Sequence, residues 1–377
     1  MVEGPKTVAV MTDLWPSASR RWAGAFVRGQ LDALAGDYRQ LVLVPRLLLP
    51  SAHRRIWGDD VAGWERGWAA APESGRLLRY PTLRVPKAGE TRARALGALA
   101  VLAAHRERPA LVHGHFLRGV GTAAQRVARR LDVPVVLTVH GTDGRWLVGG
   151  GIQERHRREM VAAVRGADRV LVVEQGLADQ VAEAAGVAGE RLRVIPMGVD
   201  EQVFRPGRRA EARRRLGLPE DGRIVVFVGL AAPAKGIDVL DRALREVDAT
   251  AVAVGTPGTG ERIRFVGEHD PAGVAEWLAA ADVFCLPSLA EGMPVSVMEA
   301  LASGRPVVAT RVGGIPDQVE DGVTGLLVPP GDSDALADAL RRALDRSWDE
   351  QAIRAASERF WWSRIAPRIA AVYAELL

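Results

Sequence analysis

Residues 281–332 read ADVFCLPSLAEGMPVSVMEALASGRPVVATRVGGIPDQVEDGVTGLLVPPGD. A short apolar run ends at Pro287, which is typical of a buried parallel strand that feeds a loop. That loop carries Glu291, and Pro294 precedes a helix pattern over 295–303. A strand, an acidic loop and a short helix in this order predict an open α/β sheet. Such sheets bind ligands at the carboxyl ends of their strands.

Two glutamates, Glu291 and Glu299, stand on either side of the predicted helix start. At about 100° per residue their positions fall within roughly a quarter turn of each other, so both can face one ligand. The first-turn N–H groups between them favour an anion such as a diphosphate, which Gly292 allows to approach closely. The pattern therefore predicts a nucleotide-sugar site. An ordinary acidic helix start is the alternative that these two residues alone leave open.

Two further motifs extend this pattern, namely Gly304-Arg-Pro-Val-Val-Ala-Thr and Gly313-Gly-Ile-Pro. With the Glu-x7-Glu spacing they resemble the retaining glycosyltransferases of family 4, which have the GT-B fold. The resemblance covers nearly the whole chain and implies two facing, Rossmann-like, doubly wound α/β domains with a cleft between them. It implies an acceptor-side domain over 1–196, a donor domain over 197–355 and a C-terminal helix over 356–377 that crosses back to the first domain.

The resemblance also implies which residues bind the donor. Glu291 is expected to bind sugar hydroxyls and Glu299 the ribose, while Lys235 and backbone groups hold the diphosphate and the region of Gly267 recognises the base. The complete expected donor set is Gly24, Gly229, Lys235, Gly267, Glu268, Glu291, Gly292, Met293, Pro294, Val295 and Glu299. Gly24 has an alternative interpretation as a plain helix-start glycine. Leu230 stands where the family commonly has an arginine for the diphosphate.

Histidines mark the ends of two predicted strands, at His113-Gly-His115 and at His140. Neighbouring strand ends meet at one edge of a sheet, so the imidazoles are expected to converge. Zinc is a conceivable ligand, but no ligand pair has normal metal spacing and the family has no catalytic metal, so no metal is expected. The resemblance implies that His140 lies beside the reacting centre and forms the catalytic set with Lys235 and Glu291.

The strand pattern repeats along the chain. Apolar runs predict buried strands over 7–11, 224–228, 250–254 and 283–286. The link after 250–254 is too short for a crossover helix, so we expect a trimmed region there. The arginine-rich run 205–215 predicts a surface linker between domains.

The size and charge of the chain limit which classes of function it can have. The chain has 377 residues, enough for two domains, and a net charge of +4. Residues 1–190 hold 27 Lys/Arg against 19 Asp/Glu, and this basic half is either solvated surface or a face for an anionic acceptor or lipid. Nucleic acid is not expected, because no aromatic-basic module is visible. The single cysteine, Cys285, excludes an internal disulfide and fits a reducing compartment.

The expected location is cytoplasmic, because no apolar run of about 18 residues and no leader pattern are visible. Peripheral membrane contact stays open because Trp57, Trp64 and Trp68 stand at helical spacing in one segment, for which core packing or an acceptor wall is the alternative.

The expected function is metal-independent, retaining transfer of a sugar from a UDP- or GDP-type donor to the hydroxyl of a small-molecule, lipid or glycan acceptor. No cofactor is expected beyond the nucleotide sugar. One alternative is a nucleotide-sugar epimerase or hydrolase of the same fold. The other is a non-catalytic protein that binds nucleotide sugars or a membrane surface, which Leu230 and the tryptophan segment keep open.

Overall fold

The computed structural model describes residues 4–17, 23–47, 75–82, 90–148, 151–258 and 260–377. The chain divides into two compact units. The first unit comprises Met1–Pro196 with Ile365–Leu377, and the second comprises Met197–Arg364. The segment with Trp57, Trp64 and Trp68 lies outside the described residues.

The described strands of the first unit form one sheet in which neighbouring strands are parallel. They are β1 (Thr7–Met11), β2 (Arg39–Leu47), β3 (Gly75–Thr82), β4 (Leu111–His115), β5 (Val135–Val139), β6 (Arg169–Val172) and β7 (Leu192–Val194). The spatial order is β3-β2-β1-β4-β5-β6-β7. The order reverses between β1 and β4, and ligands of open α/β sheets bind at such a reversal.

Helices follow most strands of the first unit and cover the sheet. They are α1 (Ala25–Ala33), α2 (Glu90–Ala104), α3 (Thr122–Leu131), α4 (Gly141–Val148), α5 (Glu154–Arg165) and α6 (Gln175–Ala185). A π turn, Leu117–Gly121, separates β4 from α3. The central strands are buried on both faces, as the uninterrupted apolar run of β1 predicts.

The second unit repeats this plan with a smaller parallel sheet. Its described strands are β8 (Ile224–Val228), β9 (Thr250–Val254), β10 (Ile263–Gly267), β11 (Val283–Leu286), β12 (Val307–Thr310) and β13 (Gly325–Val328). The spatial order β10-β9-β8-β11-β12-β13 reverses between β8 and β11. The loops that follow these two strands therefore meet at the expected binding edge of the sheet.

The described helices of the second unit are α7 (Arg209–Leu216), α8 (Ile237–Ala243), α9 (Pro271–Ala280), α10 (Val295–Ala302), α11 (Ile315–Gln318), α12 (Ser333–Asp345) and α13 (Glu350–Ser357). The last helix, α14 (Trp362–Ala374), begins in the second unit and continues into the C-terminal segment of the first. Between β9 and β10 the described residues form no helix, as the short link predicts.

The strands expected over 7–11, 224–228, 250–254 and 283–286 have the predicted bounds. The surface linker expected over 205–215 is wrong, because α7 occupies most of it. Arg213 of this helix is only 3% exposed. Its guanidinium donates to the carbonyls of Glu220 and Ala280 and to the Asp282 carboxylate, so the charge is buried with its hydrogen bonds satisfied.

Candidate functional site

Three polar side chains meet where the strand order of the second unit reverses. Lys235, in a single 3-10 turn after β8, places its Nζ 2.6 Å from Oε1 of Glu291, in the loop after β11. The Ser288 hydroxyl donates to the same oxygen at 2.6 Å. The Glu291 side chain is 8% exposed and that of Lys235 28% exposed. The charged pair is therefore partly withdrawn from water, while the ammonium stays accessible to a ligand.

Close backbone contacts hold the two loops together. Gly236 has φ +65°, and a Cβ atom at this position would lie 2.0 Å from the carbonyl oxygen of Pro287. The N–H of Leu289 donates to the carbonyl of Ala234 at 2.8 Å. Only glycine fits a left-handed position pressed against another backbone, so Gly236 fixes the distance between Lys235 and the acidic loop.

The loop after β12 supports the acidic loop from its other side. The N–H of Gly314 donates to the carbonyl of Gly292 at 2.6 Å. A Cβ at Gly313, which has φ +53°, would lie 2.4 Å from the carbonyl oxygen of Glu291. The Gly313-Gly motif thus serves a packing purpose, since it lets two backbones meet beside the ion pair.

Helix α10 begins immediately after the acidic loop. Pro294 occupies its N-cap position, and no side chain caps the free N–H groups of its first turn. Met293 packs partly buried against the core. Glu299, inside the helix, forms no side-chain hydrogen bond with any described residue, and burial raises its pKa to about 7. The acidic loop is therefore followed by an uncapped helix start and, inside that helix, by a carboxyl group without a hydrogen-bond partner among the described residues.

The remaining predicted donor residues have simpler surroundings. Gly24 caps α1 with φ +70°, and its Cβ would lie 2.2 Å from the carbonyl oxygen of Leu14. That contact alone requires a glycine, whatever binds nearby. Gly229 continues the ladder of β8 by donating to Val254 at 2.9 Å. Gly267 ends β10 with φ +76° and open space beside its Cα, and Glu268 follows it.

The position that the family resemblance assigns to arginine holds an exposed apolar side chain. Leu230 is 39% exposed, and its carbonyl accepts from the N–H of Ala232 at 2.8 Å within the loop after β8. Lys235 is the cation that this loop presents.

The first unit contributes a histidine cluster at the carboxyl ends of β4 and β5. His113 and His115 lie two residues apart on β4, as do Thr138 and His140 at the end of β5, so each pair shares a face of the sheet. His115 lies opposite Thr138 in the strand register. The Nδ1 of His113 is 2.5 Å from the Tyr373 hydroxyl and its Nε2 is 2.7 Å from the Thr138 hydroxyl. His113 is thus packed and fully hydrogen-bonded.

His115 and His140 contact each other. Nδ1 of His115 lies 3.3 Å from Nε2 of His140, with the two ring planes inclined by 22°. The ring of His140 also packs against Phe26 and Phe116, with centroid distances of 5.1 and 4.4 Å. His140 keeps 8% of its surface exposed, whereas His113 is fully buried.

Burial keeps these imidazoles neutral. Desolvation lowers the pKa of His113 and of His140 to about 3, and it holds the pKa of His115 well below its usual range. Within the described part of the chain, no group of three or more His, Cys, Asp or Glu is arranged to hold a metal ion.

Asp143 is a buried carboxyl group beside the histidine cluster that the sequence did not indicate as a candidate. It is fully buried and accepts from the backbone N–H groups of His140 at 3.2 Å and Leu117 at 3.1 Å. Burial raises its pKa to about 7, against the lowering effect of these bonds. The carboxyl group thereby joins the end of β5 to the turn after β4, in which Phe116 has φ +73°. An acidic residue three positions after a strand-end residue is a helix-capping pattern, and this was the available signal.

Ser288 was missed as well. The hydroxyl of Thr310 donates to its carbonyl at 2.5 Å, which fixes the loop at the point where Ser288 meets Glu291. The Ser-x-x-Glu spacing of these two residues is the signal that would have indicated their contact.

Comparison with known families identifies the class of protein. A family model described as glycosyl transferases group 1 matches residues 222–346, and one described as glycosyltransferase family 4 matches residues 53–203. A D-inositol 3-phosphate glycosyltransferase of Acidothermus cellulolyticus is 34% identical over 302 residues, covering 71% of this chain and 67% of the relative. The chain belongs to glycosyltransferase family 4. A relative of the same name from Kribbella flavida is 35% identical and covers 70% of each chain.

Solved structures establish the fold of this family 4 glycosyltransferase as GT-B. Sucrose-phosphate synthase from Thermosynechococcus elongatus matches with a TM-score of 0.77 at 24% identity, covering 98% of this chain and 99% of the other. HepE of Anabaena in complex with UDP-glucose matches with a TM-score of 0.74 at 20% identity, covering 98% and 100%. Among the residues that the structure describes, none of the helices is both long enough and apolar enough to span a membrane.

Proposed function

We propose that this family 4 glycosyltransferase transfers a sugar, with retention of anomeric configuration, from a UDP- or GDP-type donor to an acceptor hydroxyl without a metal ion. The observation that carries the proposal is the Lys235–Glu291 pair, 2.6 Å apart, where the strand order of the second unit reverses. The structural relative HepE, which shares the fold, is known in complexes with UDP and with UDP-glucose.

Each polar group of this region has a proposed role. The Lys235 ammonium and the uncapped N–H groups at the start of α10 bind the diphosphate, because both present positive charge to an anion. Glu291 uses Oε2, which has no hydrogen bond with a described residue, to accept from sugar hydroxyls. Glu299 accepts from the ribose. The backbone near Gly267 reads the base, where open space is present.

The reaction requires few protein groups. The bond between the anomeric carbon and the diphosphate oxygen breaks, and the acceptor oxygen forms its bond on the same face of the sugar. The departing diphosphate takes the acceptor's proton, so no carboxylate base is needed. Lys235 stabilises the charge that develops on the leaving group. His140 is the remaining member of the proposed catalytic set.

Inositol phosphates are the first acceptors to test, because several relatives carry the name D-inositol 3-phosphate glycosyltransferase. A panel of UDP- and GDP-sugars should be combined with D-inositol 3-phosphate and with glycan and lipid acceptors. The anomeric configuration of the product, read by proton NMR, tests retention.

Glu291→Gln tests the site. The amide can still accept from Lys235 and Ser288, so the fold should persist, while the loss of the negative charge should lower kcat about 100-fold. Glu246→Gln, at an exposed position of the same unit, is the matched control and should leave activity unchanged. Equal turnover of the Glu291→Gln variant and the wild type would remove Glu291 from the proposed mechanism.

Incubation with donor alone separates transfer from the alternative chemistry on the same fold. A transferase leaves most of the donor intact until an acceptor is added. Rapid donor hydrolysis or epimerisation without an acceptor would contradict the proposed function.

A further inference from the structure

The hydrogen bond between His115 and His140 has a direction that the surrounding atoms determine. Both imidazoles are neutral, so each ring carries one proton, on either Nδ1 or Nε2. In the contact between Nδ1 of His115 and Nε2 of His140, one nitrogen donates and the other accepts. The two possible directions differ in what they leave at the far nitrogen of each ring.

The far nitrogen of His115 decides between them. Nε2 of His115 is buried and has no hydrogen-bond partner among the described residues. If His115 accepted through Nδ1, its proton would be on Nε2 and a buried N–H would have no acceptor. A bare Nε2 would also lack a partner, but an orphaned N–H is the rarer of the two defects in folded proteins. The favoured state therefore has the His115 proton on Nδ1, where it is donated to His140.

Neighbouring groups prevent His115 from turning to another arrangement. Its ring stacks on His113 with centroids 4.4 Å apart, and His113 is itself held at both nitrogens by Tyr373 and Thr138. The His115 side chain is fully buried between the rings of His113 and His140, which hold its ring plane in place. The cluster thus fixes the His115 ring before any ligand arrives.

The consequence for His140 follows by counting protons. If Nε2 of His140 accepts from His115, its single proton is on Nδ1. No described residue hydrogen-bonds with this Nδ1, and part of the His140 surface is exposed. His140 consequently presents an N–H donor to whatever binds beside it.

We propose that His115 is a positioning residue that fixes the tautomer of His140, so that His140 presents its Nδ1–H as a donor to an oxygen atom of the bound ligand and does not act as a base. The inference rests on the proposed function for the identity of the ligand. His140 then selects a ligand atom that can accept a hydrogen bond. His115 determines this selectivity because it fixes the position of the His140 proton.

The tautomer can be measured without any activity. Long-range proton–nitrogen correlation spectra of the full-length protein, labelled with nitrogen-15 in histidine, report which ring nitrogen carries the proton. His140 should have a protonated Nδ1 and a bare Nε2, and its signals can be assigned by their loss in His140→Gln. A proton on Nε2 of His140 in the wild type would overturn the inference.

Two substitutions at His115 separate positioning from packing. His115→Phe keeps the stacked ring but removes the donor, so the His140 tautomers should mix and kcat should fall about 10- to 100-fold. His115→Asn places an amide N–H close to the former Nδ1 and should restore the tautomer and most of kcat, although it fills less volume. Equal losses in both variants, at equal thermal stability, would contradict the inference.

The outcomes distinguish this inference from the proposed function. If the wild type transfers no sugar from any donor, the proposed function fails while the spectra still decide the tautomer. If transfer occurs and His140 carries its proton on Nε2, the inference alone fails.

Discussion

At the scale of single residues, burial determines the chemical state of the polar groups in the first unit. Three imidazoles packed within a few ångströms are neutral because burial removes most of their hydration, and Asp143 has its pKa raised to about 7 for the same reason. The histidine cluster can therefore influence a ligand through the direction of its hydrogen bonds and the positions of its rings, but not through charge. Asp143, which joins His140 to the turn at Phe116, keeps that shape.

This neutrality predicts how stability depends on pH. Between about pH 4 and 6.5 the unfolded histidines bind protons that the folded ones do not, so the free energy of unfolding falls as pH falls. Asp143 acts in the opposite sense, because its raised pKa means that the folded state holds a proton that the unfolded state has lost. Three histidines outweigh one carboxyl group, so the net contribution of the cluster to stability rises with pH in this window.

Comparing the pH dependence of stability in His115→Phe and in the wild type isolates the contribution of His115. In His115→Phe the pH slope of the unfolding free energy should be smaller than in the wild type by about one proton, or about 1.4 kcal/mol per pH unit. Chemical denaturation at a series of pH values measures this difference. Identical slopes would mean that His115 is not held neutral by burial.

At the scale of elements, the second unit depends on loops that only glycine can build. Gly236 and Gly313 each press one backbone against another, on either side of the acidic loop. The elements themselves are ordinary: short apolar strands and short helices. The site exists because these loops bring Lys235 and Glu291 together at adjacent strand ends.

Two glycines with nearly the same φ provide a matched test of this arrangement. Gly236 has φ +65° and its Cβ would overlap Pro287, whereas Gly217 has φ +63° with nothing within 4 Å. Gly217→Ala should cost about 1 kcal/mol from backbone strain alone, and Gly236→Ala should cost at least about 2 kcal/mol more. Chemical denaturation measures both costs, and donor binding should weaken only in Gly236→Ala. Equal costs would show that the loop contact does not hold the site.

The sequence predicted elements best where a single physical factor dominates. Buried parallel strands must be apolar, so the bounds of β1, β8, β9 and β11 followed from composition alone. Helix α7 was mistaken for a linker because its charges suggested solvent, whereas Arg213 is buried through contacts with residues distant in sequence. Strand β3 and helix α4 were not predicted.

For the candidate site, the sequence identified residues but not the contacts between them, because those contacts join residues that are distant in sequence. Lys235 and Glu291 were named from the sequence, but their direct contact joins two loops that lie far apart in the chain, since the two residues are 56 positions apart. The contact between His115 and His140 follows from strand register, which apolar patterns do not specify to the atom. The contact of Asp143 with the N–H of Leu117, 26 residues earlier, could not be predicted, because it depends on how two loops meet.

At the scale of the whole molecule, both units contain the same type of parallel sheet, and the C-terminal segment of the chain belongs to the first unit. Each unit is a parallel sheet whose order reverses once, and each reversal carries the polar groups described above. The C-terminal segment belongs to the first unit, where Tyr373 contacts His113 and Lys6 donates to the carbonyl of Leu377 at 2.7 Å. The assignment of donor binding to the second unit is the central claim of the proposed function.

Calorimetric titration of the metal-free protein with UDP and with GDP tests this claim most directly. We predict that one of the two binds in the presence of a chelator and that Lys235→Ala weakens binding at least about tenfold, because a cation at the diphosphate is lost. Arg242→Ala, which removes an exposed cation on the neighbouring helix α8, should bind as the wild type does. Failure of both nucleotides to bind the wild type, or equal binding by Lys235→Ala, would contradict the account.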